Sequence, residues 1–341
     1  MLEKPDIPDQ RIIACLREEY GLPVVQVDFL PLGADRNTVV YRVSDRDGRP
    51  YFLKLRKGVF DETSVALPKF FHDQGIEQVI APLTTRAGPL WASLGDFRLI
   101  LYPFIEGHNG YQASLSDQHW VALGKTLKRI HTTVLPPALK ARIRRENHTN
   151  KWRESVKVFL GRLGDRPPED PIAVELIVFL RAKREEILDL VGRTEHLAGE
   201  LQACSRDFVL CHADIHAGNL LIAAEGALYL VDWDDPILAP KERDLMSVGA
   251  GLMGAWHTPQ EEESLFYKGY GHTPIDPIAL AYYRYERIID DIAVECDTIA
   301  SGEENEDNRR QSLGYLKSNF LRDSTIEIAT RSDRTRKVGQ L

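Results

Sequence analysis

The chain has 341 residues, 43% of them hydrophobic and 28% charged, with a formal net charge of −8. That length exceeds what one compact core usually holds and points to two domains. The acidic balance argues against nucleic acid as the main partner, because phosphate binding needs clustered Lys and Arg, and it is compatible with a cationic small molecule.

The opening MLEKPDIPDQRIIACLREEY has no basic segment followed by an apolar run, so no secretory signal is expected. The least polar run, Leu245 to Trp256, is too short and too glycine-rich to span a bilayer. Cysteines 15, 204, 211 and 296 show no paired or framework spacing. A cytoplasmic protein with no membrane partner is the simplest expectation.

In chain order, VVQVDFLPL (24–32), VVYRVS (39–44) and RPYFLKLR (49–56) alternate as strands. A short helix is expected over 61–74, then strands IAPLTT (80–85), PLWASL (89–94) and FRLILYPFI (97–105). The sum is a five- or six-stranded, mostly antiparallel sheet with one internal helix. After Gly107 the pattern turns helical. SDQHWVALGKTLKRIHTTV (116–134) puts Trp120, Leu123, Leu127, Ile130 and Val134 on one face, with Ser116 as N-cap. Long helices are expected over 172–191 and 276–301, separated by the strand-like runs FVLCH (208–212) and ALYLVDW (227–233). The fold class is therefore α+β: a β-rich lobe over 1–105 and a mainly helical lobe over 106–341, joined near YPFIEG (102–107). The C-terminal IATRSDRTRKVGQL (328–341) is polar and basic and is expected to lack order.

The most informative window is LCHADIHAGNLLI (210–222). His212, Asp214 and His216 could be metal ligands, but the other histidines form no second cluster to complete a site. A different spacing explains more. Asn219 follows Asp214 by five residues, and Asp232 lies thirteen further on in LYLVDW. Phosphoryl transfer needs such a set: one carboxylate for the acceptor hydroxyl, then an amide oxygen and a second carboxylate to hold magnesium against nucleotide phosphates. Lys54, on the third strand, suits the α/β-phosphates. Gly33, Ala34, Asp35, Asn37 and Thr38 of LGADRNT (32–38) could cover phosphates through backbone N–H groups. Tyr102, Pro103, Phe104 and Ile105 form the expected hinge for the adenine of ATP. Gly124-Lys125-Thr126 ends like a phosphate-binding loop but falls mid-helix and is set aside.

CHADIHAGNLLI, LVDWDDP, APKERDL (239–245) and LGKTLKRIH (123–131) together resemble the aminoglycoside phosphotransferase family, which are kinase-like enzymes. The PLGAD-NT loop, KWRE (151–154) and YYR-ERI–DIAV (282–294) are similar to its spectinomycin phosphotransferase branch, over roughly residues 1–325. The resemblance implies a two-lobe, protein-kinase-like fold and ATP- and magnesium-dependent transfer to a cationic aminocyclitol. It implies Asp214 as base, Asn219 and Asp232 as metal ligands, and His212 in the place of the histidine that precedes the base. Asp244 follows Asp232 by only twelve positions, which leaves no room for a regulated activation loop and favours a small-molecule acceptor. His212 is expected to prop the loop, and Asp244 either braces it or caps a helix.

The resemblance further implies a glutamate on the internal helix that pairs with Lys54. Glu62 is the candidate and Asp61 the second, although Pro68 within that helix allows a start later than Glu62. An acceptor bound between the catalytic loop and the C-terminal helices would meet Asp214, Glu286 and Asp290; the last two are four apart on one helical face. The alternatives are a kinase of another hydroxyl metabolite (choline, homoserine or a sugar) and an inactive nucleotide-binding protein. The sequence leaves the oligomeric state open.

Overall fold

The computed structural model describes residues 4–33, 37–164, 170–254 and 256–338. In chain order they form α1 (Asp9–Cys15), β1 (Val24–Leu30), β2 (Thr38–Asp45), β3 (Pro50–Lys57), α2 (Thr63–Asp73), β4 (Ala92–Leu94), β5 (Phe97–Pro103), β6 (Gly107–Asn109), α3 (Asp117–Thr132) and α4 (Pro137–Lys140). There follow α5 (Lys151–Gly161), α6 (Pro171–Gln202), β7 (Val209–Cys211), β8 (Leu220–Ala223), β9 (Leu228–Leu230) and β10 (Ile237–Ala239). The chain continues through α7 (Glu242–Leu245), α8 (Pro259–Tyr270), α9 (Pro277–Ser301), α10 (Glu306–Ser318) and α11 (Thr325–Val338). No helix among them is long and apolar enough to cross a membrane.

Contacts divide the chain into two compact units, Met1–Ile143 with Ala217–Pro236, and Arg144–His216 with Ile237–Leu341. This division differs from the boundary expected at residue 105. The hairpin β8–β9 groups with the N-terminal strands because β6 pairs with β8, Gly107 opposite Ala223. His119 of α3 also bonds the carbonyl of Gly226 at 2.9 Å. Only glycine fits at 107, since a Cβ there would lie 2.2 Å from the Ile222 carbonyl oxygen.

In the first unit the five strands run in the order β1-β2-β3-β5-β4, with every neighbouring pair antiparallel. Val39, Tyr41 and Val43 of β2, Leu53 and Leu55 of β3, and Leu99 and Leu101 of β5 fill the core on one face. Because side chains alternate across a strand, Phe52, Lys54 and Arg56 point to the opposite face. IAPLTT (80–85) forms no strand: it makes isolated bonds, Leu83 N–H to Leu101 and Thr85 N–H to Pro89, and Pro82 has no N–H to give. Ser116 caps α3 by accepting from His119 N at 3.3 Å, while His119 Nδ1 accepts from Ser116 N at 3.2 Å. Trp120, Leu123, Leu127 and Ile130 are buried as expected, but α3 ends at Thr132 and leaves Val134 89% exposed.

In the second unit α9 is central, and α5, α6, α10 and α11 pack against it. Tyr282, Tyr285, Ile288, Ile289, Ile292, Cys296 and Ile299 of α9 are all buried. β7 and β10 form a short antiparallel pair. The C-terminal segment is not without order through residue 338: α11 buries Ile326, Ile328 and Ala329, and its Asp333, 1% exposed, is paired with Arg193. Its polar composition conceals a short apolar face and one buried ion pair.

Candidate active site

A cavity of about 430 Å³ lies in the first unit, within the usual range for small-molecule pockets. Leu30, Val40, Phe52, Leu221 and Leu230 give it apolar walls, and Lys54, Asn219, Asp232 and Asp234 give it polar ones. Of the sequence-expected residues, Gly33, Thr38, Tyr102, Pro103, Phe104 and Ile105 also line it. Ala34 and Asp35 lie outside the described residues. Asn37 is not among the lining residues; its carbonyl accepts the Lys57 N–H at 2.8 Å, extending the β2–β3 ladder. An apolar slot ending in an ammonium group suits a flat ring carrying an anionic tail.

The polar end is built by the β8–β9 hairpin. Leu220 pairs with Leu230, and the Val231 N–H reaches back to the Asn219 carbonyl at 3.0 Å, which fixes Asn219 beside the residue preceding Asp232. Asp232 has φ +64°, a left-handed conformation that Asp tolerates better than most residues. Trp233 anchors the turn: its ring lies 5.4 Å from that of Phe71, and Nε1 donates to Leu230 at 3.3 Å. Lys54 Nζ then donates to Asp232 Oδ1 at 3.0 Å and to Asp234 Oδ2 at 2.7 Å. Arg56 Nη1 meets the same Asp234 oxygen at 2.7 Å. Burial disfavours the Lys54 ammonium, but Asp232 and Asp234 outweigh it and hold its pKa above the ordinary value.

Glu62 does not pair with Lys54. It precedes α2, and its carboxylate bonds Arg142 at 2.7 Å; Asp61 instead caps the Thr63 N–H at 2.9 Å. The helix begins too late to carry either residue, and its own acid, Asp73, is bound to Lys69. Asp234, overlooked in the sequence, supplies the second carboxylate. Its only signal there is the repeat of Asp two residues after Asp232.

Asn219, Asp232 and Asp234 are hard oxygen donors of the kind magnesium takes. Asp232 and Asp234 already converge on one cationic centre, Lys54 Nζ, and Asn219 lines the same cavity, so the donor types present fit the ion.

The second unit holds Asp214. Asp244 of α7 grips the loop backbone: Oδ2 accepts from His212 N at 3.0 Å and Oδ1 from Ala213 N at 2.8 Å. Its carboxylate therefore serves the loop rather than a helix end. Ala213 takes φ +73°, and the Asp214 N–H donates to His212 Nδ1 at 3.3 Å. The Asp214 carboxylate faces His216 Nε2 at 3.5 Å and Arg287 Nη1 at 2.5 Å. Burial would raise this carboxyl, but the His216 hydrogen bond and the Arg287 charge outweigh it and hold it well below the usual range.

The two expected acceptor carboxylates part company. Glu286 is buried and receives a 2.6 Å bond from Arg153 Nη1, so its charge is used inside the unit and not offered to a ligand. Helix α9 turns that position toward α5, where Arg153 also donates to the carbonyls of His148 and Thr149. Asp290, one turn on, is half-buried, and its carboxyl is pushed up to about 6 by burial against the opposing charge of Arg287. The roles of Arg153 and Arg287 carry no sequence signal beyond a basic residue on a helix.

Compared with known proteins, the family described as "Phosphotransferase enzyme family" matches residues 28–284. Comparison with curated proteins gives no match. Among solved structures, spectinomycin phosphotransferase APH(9)-Ia in complex with ADP and spectinomycin is 36% identical, with a TM-score of 0.89 over 96% of this chain and 99% of that one. Amicoumacin kinase hAmiN, in complex with AMP-PNP and Ca2+, shares the fold at 18% identity, with a TM-score of 0.62 over 95% of this chain and 94% of that one. Choline kinase LicA from Streptococcus pneumoniae does so at 16% identity, with a TM-score of 0.53 over 91% of this chain and 99% of that one. An antiparallel N-terminal sheet, a helical C-terminal part and a match spanning most of the length converge on one conclusion: the chain belongs to the phosphotransferase enzyme family and is an enzyme of kinase-like fold.

Proposed function

We propose that the protein transfers the γ-phosphoryl group of ATP to a hydroxyl of spectinomycin or a related aminocyclitol, and so confers resistance to it in the cytoplasm. The observation that carries this reading is the likeness to a spectinomycin phosphotransferase at 36% identity over 96% of this chain and 99% of that one.

The nucleotide ring occupies the apolar slot, with its α/β-phosphates toward Lys54. Asn219 and Asp232, together with Asp234, offer the oxygen donors for magnesium, which when bound neutralises phosphate charge. Asp214 accepts the proton of the acceptor hydroxyl as that oxygen bonds to the γ-phosphorus. The bond from the γ-phosphorus to the β,γ-bridging oxygen breaks, and ADP leaves. Phosphoryl transfer passes through a loose transition state, so the contribution asked of Asp214 is chiefly orientation. Asp290 supplies negative charge for a cationic acceptor.

The test is an ADP-release assay with purified protein, ATP and magnesium across spectinomycin, other aminocyclitols, choline, homoserine and sugars, with mass spectrometry of the product. Spectinomycin should gain one phosphoryl group. Turnover of a different acceptor with none of spectinomycin would sink the reading. In a susceptible bacterium, expression should raise the spectinomycin concentration needed to stop growth.

A further inference from the structure

Arg287 ties the loop carboxylate to the long helix of the second unit. Its Nη1 donates to Asp214 Oδ1 at 2.5 Å and its Nε to Asp291 Oδ1 at 2.9 Å. Asp291 lies one turn further along α9. A guanidinium is planar and its N–H groups are fixed relative to one another. With one edge on Asp291, the direction of the other is set. The Arg287 side chain is only 22% exposed, so the arm is packed and not free to swing. The remaining Asp214 oxygen, Oδ2, faces His216 at 3.5 Å.

Asp244 fixes the backbone of this loop but leaves the Asp214 side-chain torsions open, and the terminal torsion of Asp is broad. A group that receives a proton must present an oxygen within hydrogen-bond reach of the hydroxyl. A group that holds the carboxylate plane meets that need, and Arg287, itself anchored by Asp291, is in contact with it.

We propose that Arg287, held by Asp291, is a positioning residue for the transfer step: it commits one Asp214 oxygen to the guanidinium and leaves the other to the acceptor hydroxyl. This rests on the reading of Asp214 as the group that takes the acceptor's proton. The same contact keeps Asp214 a weak base, which a loose transition state tolerates. The charged or titratable groups around the carboxylate include His216 in the loop and Arg287, Asp290 and Asp291 on α9.

The test compares Arg287→Lys, which keeps the charge and loses the planar fork, with Arg287→Met and Asp291→Asn. Arg287→Lys should lower kcat by about 10- to 100-fold while the KM for ATP stays within about threefold, as expected of a misplaced group. Asp291→Asn should lower kcat less, with its thermal midpoint near the parent's. A second readout needs no acceptor. The ¹³C carboxyl resonance of Asp214, identified by its loss in Asp214→Asn, should stay ionised across the accessible acid range in the parent. In Arg287→Met it should titrate upward, toward the ordinary carboxylate value of about 4 or above. Parent-like kcat in Arg287→Lys, or an unchanged Asp214 titration in Arg287→Met, would overturn the proposal. If the parent fails to phosphorylate spectinomycin, the acceptor reading falls. The kcat comparison then uses whichever acceptor the screen returns, and the resonance decides the Arg287 contact regardless.

Discussion

The Asp214 N–H donates to His212 Nδ1, and its carboxylate meets His216 and Arg287. On the proposed reading Asp214 takes the acceptor's proton, and an amide in its place keeps the size but removes that proton acceptor. Asp214→Asn should therefore cut turnover by about 10²- to 10⁴-fold, while ADP affinity, measured by calorimetry, changes by no more than about threefold, because Asp214 does not line the cavity. Turnover within about tenfold of the parent would remove Asp214 from the mechanism. His148 makes a different residue-scale case. It is 6% exposed with φ +53°. Burial first, and then the charges of Arg206 and Arg153, hold its imidazole below the ordinary value against the opposing Glu146. The unfolded chain takes up that proton near pH ~6.5 while the folded chain does not. Stability is therefore complete above that pH and falls below it, by up to about 1.4 kcal/mol per pH unit until the folded group also protonates. His148→Asn, which tolerates the left-handed backbone, should flatten the fall in denaturant midpoint between about pH 7.5 and 5.5. An unchanged fall would assign it to other groups.

At the scale of elements, α2 and α11 show where composition misleads. α2 buries Val65, Leu67, Pro68 and Phe71 and begins only at Thr63, so the acids before it cap or pair locally and never reach β3. α11 has a polar composition, yet it closes the second unit: Arg284 of α9 donates to Ser332, and Arg193 of α6 pairs with Asp333. A chain ending after Ser324 should lose several degrees of thermal midpoint or fail to accumulate as folded protein, because Ile326, Ile328 and Ala329 leave the core and Arg193 loses a buried partner. A full-strength transition in that truncated protein would show α11 to be an ornament of the fold. The elements that were legible are the periodic ones. The third strand alternates cleanly, and Ser116 marks the start of α3 by capping chemistry. IAPLTT failed because a short apolar run says nothing about whether a strand partner is present.

For the whole molecule, the candidate residues fall in both units. The first carries Lys54, Asn219, Asp232 and Asp234 around the cavity; the second carries Asp214 and its supports. A ligand that binds only the folded first unit stabilises it by mass action. ADP with magnesium at about 100 times Kd should add about 2.7 kcal/mol, seen as a rise of a few degrees in the thermal transition. Lys54→Met should abolish most of that rise, since it removes the cation on which two carboxylates converge. An equal rise in parent and variant would place the nucleotide elsewhere.

What the amino-acid order determined alone was local: the alternation that turns Lys54 away from the core, the five-residue step from Asp214 to Asn219, the capping residues, and the motifs that resemble one enzyme family. Those properties depend on near neighbours along the chain, and so they leave a periodic or fixed-spacing trace. The electrostatic partners were decided only by the tertiary structure. Lys54 meets Asp232 across 178 positions, Arg153 meets Glu286 across 133, and Arg287 meets Asp214 across 73. A charge on a strand or helix looks the same in sequence whether it faces water, a ligand or a buried counter-ion. The difference lies in which surfaces the fold brings together, and burial then makes pairing obligatory. Glu286 became an internal counter-ion for that reason, and Arg287, which a sequence marks only as basic, came to hold the Asp214 carboxylate.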